Sequence, residues 1–127
     1  MSGDVDETGK NVGVIVAAHT IDRMFQRGLC NPAAQRKDAA NLAFRDVQDA
    51  LREGRMAKNE PRWMRGPYRR GKLEGSKRYV WSACQARVYI IGPARTRTRR
   101  PEFAETWMVL TVLSTRDDTG APVRLYA

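Results

Sequence analysis

The sequence predicts an α+β domain in which two N-terminal helices pack on a small antiparallel sheet of three or four strands. Three observations lead there. Apolar residues recur at helical spacing through residues 14–51, β-branched and aromatic residues dominate residues 77–91, and a nearly unbroken apolar run, "TWMVLTVLST", fills residues 106–115. Helical patterning first and strand patterning afterwards place the helices together on one sheet face.

Residues 1–12 show no periodicity and read as a flexible tail, which leaves residues 13–127 as one domain. Val14, Ala17, Ala18, Ile21, Met24 and Phe25 then trace one helical face, and Gly28 supplies a stop. The pattern leaves open whether residues 14–16 begin that helix or form a short strand before it. A second helix is predicted over about 32–53, with Asn31 as its cap and Pro32 in its first turn, where a missing N–H costs nothing. Ala40, Ala43, Phe44, Val47, Ala50 and Leu51 form its buried stripe, Arg45 and Asp49 can pair across one turn, and Gly54 ends it.

The pattern then changes. "RMAKNEPRWMRGPYRRGKLEGSK" has no sustained apolar period and reads as a long loop with a short strand around residues 62–64. Strands follow at about 77–82 and 86–91, then a basic connection at 93–105. The run at 106–115 fits a central strand covered on both faces, and residues 123–126 add a short strand.

The charge distribution narrows the function. Lys and Arg number 23 against 14 Asp and Glu, a net charge of +9. The excess is segregated: residues 1–61 hold nine basic and nine acidic residues, whereas residues 62–100 hold twelve Lys or Arg and one acid, Glu74. A small protein with so concentrated a positive surface is expected to meet a polyanion, RNA first and DNA as the alternative.

Other chemistries are set aside on composition and spacing. Cys30 and Cys84 have no metal-ligand spacing and only one histidine for company, so no zinc site or other cofactor is expected. They read as reduced thiols, with a disulfide between them as the alternative in an exported protein. The acidic first ten residues do not resemble a signal peptide and no run approaches a membrane span, so a cytoplasmic location is expected. Phosphate-cradling glycine loops are absent, as is any order of Ser, His and Asp that argues for a triad.

The candidate catalytic group lies in "HTIDRMFQRG", residues 19–28. On a helix, His19, Arg23 and Arg27 fall within an arc of about 80°. A histidine beside fixed positive charge suits proton transfer during phosphodiester cleavage, with the guanidinium groups stabilising the transition-state charge. A solvated polar helix face is the plainer reading of the same spacing. A candidate RNA-binding surface comprises Arg62, Arg65, Tyr68, Arg69, Arg70, Lys72, Lys77 and Arg78, interleaved with Trp63 and Tyr79, and the run "RTRTRR" adds Arg95, Arg97, Arg99 and Arg100. Aromatic rings can stack on unpaired bases while the cations contact phosphates, the alternative for Trp63 and Tyr79 being a place in the core.

The stretches "HTIDRMFQRGL" at 19–29, "FRDVQDALREGR" at 44–55 and "WMVLTVLS" at 107–114 together resemble the RelE-like and BrnT-like toxin domains, a superfamily grouped with barnase and colicin D. The resemblance implies two N-terminal helices on a four-stranded antiparallel sheet and a metal-independent endoribonuclease that cleaves mRNA or tRNA through attack by the ribose 2′-hydroxyl. By position it assigns His19, Arg23 and Arg27 to the polar helix face and Thr111 to the threonine of the last strand. A further reading, compatible with a nuclease or a binding module, is an interaction domain whose basic surface docks an acidic protein such as an antitoxin or immunity partner, with delivery into a target cytoplasm if the chain is an exported toxin tip. A non-catalytic nucleic-acid-binding module, such as a phage or mobile-element regulator, is the rival reading.

Overall fold

The computed structural model describes residues 4–5, 11–64, 70–94 and 105–115. It is an α+β arrangement of two helices on a mixed sheet. The strands are β1 (Asp4–Val5), β2 (Asn11–Val16), β3 (Met56–Ala57), β4 (Arg78–Trp81), β5 (Arg87–Pro93) and β6 (Glu105–Ser114). The helices are α1 (Ala18–Gln26) and α2 (Arg36–Glu53), and the sheet order is β1-β2-β6-β5-β4-β3.

This corrects the expected all-antiparallel sheet with helices at the start of the chain. A strand precedes α1, and it pairs in parallel with β6 from Val12↔Glu105 to Val16↔Val109. Residues 14–16 therefore belong to a strand, as β-branched Val14, Ile15 and Val16 favour. Residues 4–5 and 11–12, assigned to the tail by the sequence pattern, also pair in the sheet. Among the described residues every other pairing is antiparallel. As expected, β6 is central, lying between β2 and β5.

Helix α1 begins where β2 ends. Ala17 N–H still bonds the Val109 carbonyl, and the buried Thr20 hydroxyl donates to that same oxygen at 2.8 Å. At the far end Gly28 takes φ of +64°, Gly28 N–H bonds Phe25 and Leu29 N–H bonds Met24. This is the Schellman closure that a glycine past the last turn permits.

Helix α2 starts four residues later than predicted. Asn31 makes its own turn, its side chain accepting from Ala33 N–H and its carbonyl from Ala34 N–H. The cap is instead Gln35, in a reciprocal box with Asp38. Gly54 ends the helix as expected, with φ of +76°. Asp49 pairs with Arg52 rather than Arg45.

Two apolar layers flank the sheet. Val14, Val80, Tyr89, Ile91, Val109 and Val112 meet Met24 and Leu29 near α1 and Ala39, Ala43, Val47 and Ala50 of α2. On the opposite face Tyr79, Val88, Ile90 and Leu113 meet Met64 and Leu73, with Trp63, Trp81 and Leu110 around them. The strict alternation of Val88, Tyr89, Ile90 and Ile91 between the clusters follows from the period of two along a strand. The second cover is the segment between β3 and β4, whose described residues form no helix and lie on the sheet through Met64 and Leu73. The expected strand around 62–64 is a turn within this layer. The expected strand at 123–126 lies outside the described residues.

Candidate nucleic-acid interface

The loop layer is pinned from beneath and charged on top. Leu73 N–H bonds Lys58 O at 3.0 Å, Met64 N–H bonds Pro61 O at 3.1 Å, and the Tyr79 hydroxyl donates to Gly71 O. Glu60 accepts the backbone N–H groups of Arg70 at 2.6 Å and Gly71 at 3.1 Å through one carboxylate oxygen. That carboxylate therefore faces the loop backbone. Arg62, Arg70, Lys72 and Lys77 are exposed. The stem of Lys77 lies along the sheet, since a Cβ added at Gly92 would meet Lys77 Cγ at 3.7 Å and Leu110 Cδ1 at 3.3 Å. Arg78 is half-buried and bonds the carbonyls of Gly75 and Lys77, holding its own turn.

Of the aromatic residues interleaved with these cations, Tyr79 takes the core position open to a strand residue and Trp63 lies at its margin. Tyr79 is fully buried, with burial and the nearby Glu60 charge pushing its phenol up against the opposing pull of Arg70. Trp63 and Trp81 are half-buried and meet edge-to-face, with ring centroids 5.8 Å apart. Arg65, Tyr68, Arg69, Arg95, Arg97, Arg99 and Arg100 lie outside the described residues.

The expected catalytic residues lie on both sides of the sheet. His19 is exposed in the first turn of α1, and Arg23, half-buried one turn on, bonds Gln26 of the same helix. Arg27 follows the last helical residue, and its guanidinium donates to the Val112 carbonyl of β6. It tethers the helix end to the sheet, about 12 Å along the chain axis from His19. Thr111 is opposite Ile90 in the β5–β6 register, and Ile90 belongs to the loop-side cluster. Thr111 thus shares the sheet face away from α1, because a bulge lets β6 pass from Thr111↔Ile90 to Val109↔Ile91 with Leu110 as the extra residue. The sheet stands between His19 and the loop layer. Helical spacing relates the three side chains by angle about an axis, without setting which neighbour each meets.

A second polar cluster ties α2 to the sheet. Asp46 accepts from Arg87 Nε at 2.7 Å and from the Tyr89 hydroxyl at 2.6 Å. Burial and the Asp46 charge hold the Tyr89 phenol far above its ordinary range, and hydrogen bonding to Asp46 holds Arg87 firmly charged against the cost of its burial. Cys30 and Cys84 are both free thiols. Burial pushes Cys30 up against the Arg87 charge. Burial acts upward on Cys84 too, yet the Ser82 hydroxyl, the Ala86 N–H and Arg87 together bring its thiol below the ordinary value.

Among the described residues, no group of three or more His, Cys, Asp or Glu side chains is placed to hold a metal ion, and no helix is long and apolar enough to cross a membrane. Two residues of the candidate surface are not singled out by the sequence: Trp81, whose strand is expected but not its face, and Glu60, which lies in a loop without periodicity. The alternation of Tyr79 and Trp81 along β4 was the available signal for the first. Comparison of the chain with protein-family models, curated proteins and solved structures found no match.

Proposed function

We propose that the chain is a nucleic-acid-binding module that holds a phosphate backbone on the loop layer. The observation that carries this reading is the exposure of Arg62, Arg70, Lys72 and Lys77 on the segment covering one sheet face, while Glu60 is turned to the loop's own N–H groups. Cations grouped in this way release counterions when they meet phosphates, which drives binding. Sequence-independent affinity with a steep salt dependence follows. Replacing Arg62, Lys72 and Lys77 together by Gln should weaken binding and lower the slope of log K against log salt by about 2–3. An unchanged slope would sink the reading.

The second reading is a metal-independent endoribonuclease acting on mRNA or tRNA, favoured by the exposed His19 with Arg23 one turn along the same helix. In that reaction the ribose 2′-oxygen attacks phosphorus, its proton passes to a base, and the 5′-oxygen leaves with a proton from an acid. One histidine would serve both in turn. Incubation with total RNA distinguishes the two: cleavage ends made by the wild type and lost in His19→Ala support the nuclease, and intact RNA supports binding alone.

A further inference from the structure

We infer that Trp63 and Trp81 form a stacking platform for unpaired bases at the margin of the loop layer, so that the strand held there is single. This rests on the reading of that layer as a nucleic-acid interface and names the substrate class.

The two indoles are large apolar groups at the boundary of the loop-side cluster, yet both keep solvent exposure. Their planes meet at 80°, an edge-to-face contact that uses the face of one ring and only the edge of the other. The pair therefore does not bury the two ring faces against each other, and the partial exposure of both residues is what a base could meet. Trp81 ends β4, which is separated from the sheet margin only by the two-residue β3. Exposed Arg62 immediately precedes Trp63. Arg62 thus puts a cation next in the chain to a partly exposed indole, which matches the alternation of phosphate and base along a single strand. In a duplex the base faces are covered by their neighbours, and the same rings find nothing to stack on. The fully buried Tyr79 cannot take this part.

The test uses the full chain and labelled strands of about 12 nucleotides, single and annealed, each in ribose and deoxyribose form. Anisotropy titrations at each of several salt concentrations should show tighter binding of the single strands. Trp63→Leu should lower single-strand affinity roughly tenfold, leaving duplex affinity and the salt slope in place, and Trp63→Phe should keep most of the preference. Duplex binding equal to or tighter than single-strand binding overturns the inference in the wild type alone, with no variant needed. Equal losses on both forms in folded Trp63→Leu overturn it as well. Failure to bind any strand overturns the underlying reading of the loop layer instead.

Discussion

Thr20 of α1 donates its buried hydroxyl to the carbonyl of Val109 on β6, across 89 positions of the chain and at 2.8 Å. The acceptor is the last β6 residue paired with β2, and Ala17 N–H reaches it too, at 3.2 Å. One oxygen thus joins the end of a parallel ladder to the start of a helix that has no side-chain cap of its own. Thr20→Val keeps the shape of the side chain but loses the donor. Because Ala17 still satisfies the carbonyl, the loss should be about 1 kcal/mol, toward the lower part of the range for an orphaned buried group. Urea unfolding measures it, with Thr20→Ser expected to recover the hydrogen bond and lose only a methyl group. Equal stability of wild type and Thr20→Val would show that the bond contributes nothing.

Asp46 has a larger role, since one oxygen serves both Arg87 and Tyr89. Arg87 and Asp46 expose only 17% and 14% of their side chains, so removing the carboxylate leaves a half-desolvated guanidinium and a buried phenol without their partner. Asp46→Ala should cost about 3 kcal/mol. Asp46→Asn, which can still accept from one of the two donors, should cost less. The order of the two variants in urea midpoint checks the argument, and the reverse order would refute it.

The same cluster predicts a loss of stability in alkali. Burial raises the Tyr89 phenol above its unfolded value, so the stabilisation is complete below the unfolded tyrosine pKa of about 10 and declines as pH rises beyond it. The sign follows from proton uptake: above pH 10 the unfolded chain releases this proton and the folded chain keeps it. Tyr79 is raised as well and acts in the same direction. Unfolding free energies measured between about pH 9 and pH 11 should fall with pH, and the fall should be shallower in Tyr89→Phe. Identical slopes in the two proteins would exclude Tyr89 as a source.

These predictions draw on contacts with unequal traces in the sequence. Helix α2 and its end at Gly54 were legible because Ala43, Val47 and Ala50 sustain one period over several turns. Strand β2 was not, because Val14 fits both an alternating pattern with Val12 and Val16 and a helical one with Ala17 and Ile21. Its parallel partner, β6, lies some ninety positions away, beyond any local pattern. Thr111 shows the same limit at the site. Alternation from Trp107 and Val109 puts it beneath the helices, and the extra residue Leu110 resets the phase. The exposure of Arg62, Lys72 and Lys77 was readable from charge alone, whereas the separation of His19 from them depends on which sheet face each segment covers.

The position of those cations depends in turn on Glu60. Its carboxylate accepts from two consecutive N–H groups, which fixes the backbone that carries Arg70 and leads into Lys72. Glu60→Ala removes that clamp and also raises the net charge by one. The two consequences oppose each other for phosphate binding: added positive charge strengthens it, and a loosened loop adds an ordering cost when the strand is held. Charge-assisted bonds to an exposed loop are each worth on the order of 1 kcal/mol, comparable to the gain from one unit of charge at the surface, so binding should change little. Hydrogen exchange separates the terms. The Arg70 and Gly71 amides should exchange markedly faster in Glu60→Ala, while the amide of the buried Leu113, paired with Val88 in the central strand, stays protected. Unchanged exchange at Arg70 and Gly71 would show that the loop is held by the Tyr79–Gly71 and Leu73–Lys58 bonds without Glu60.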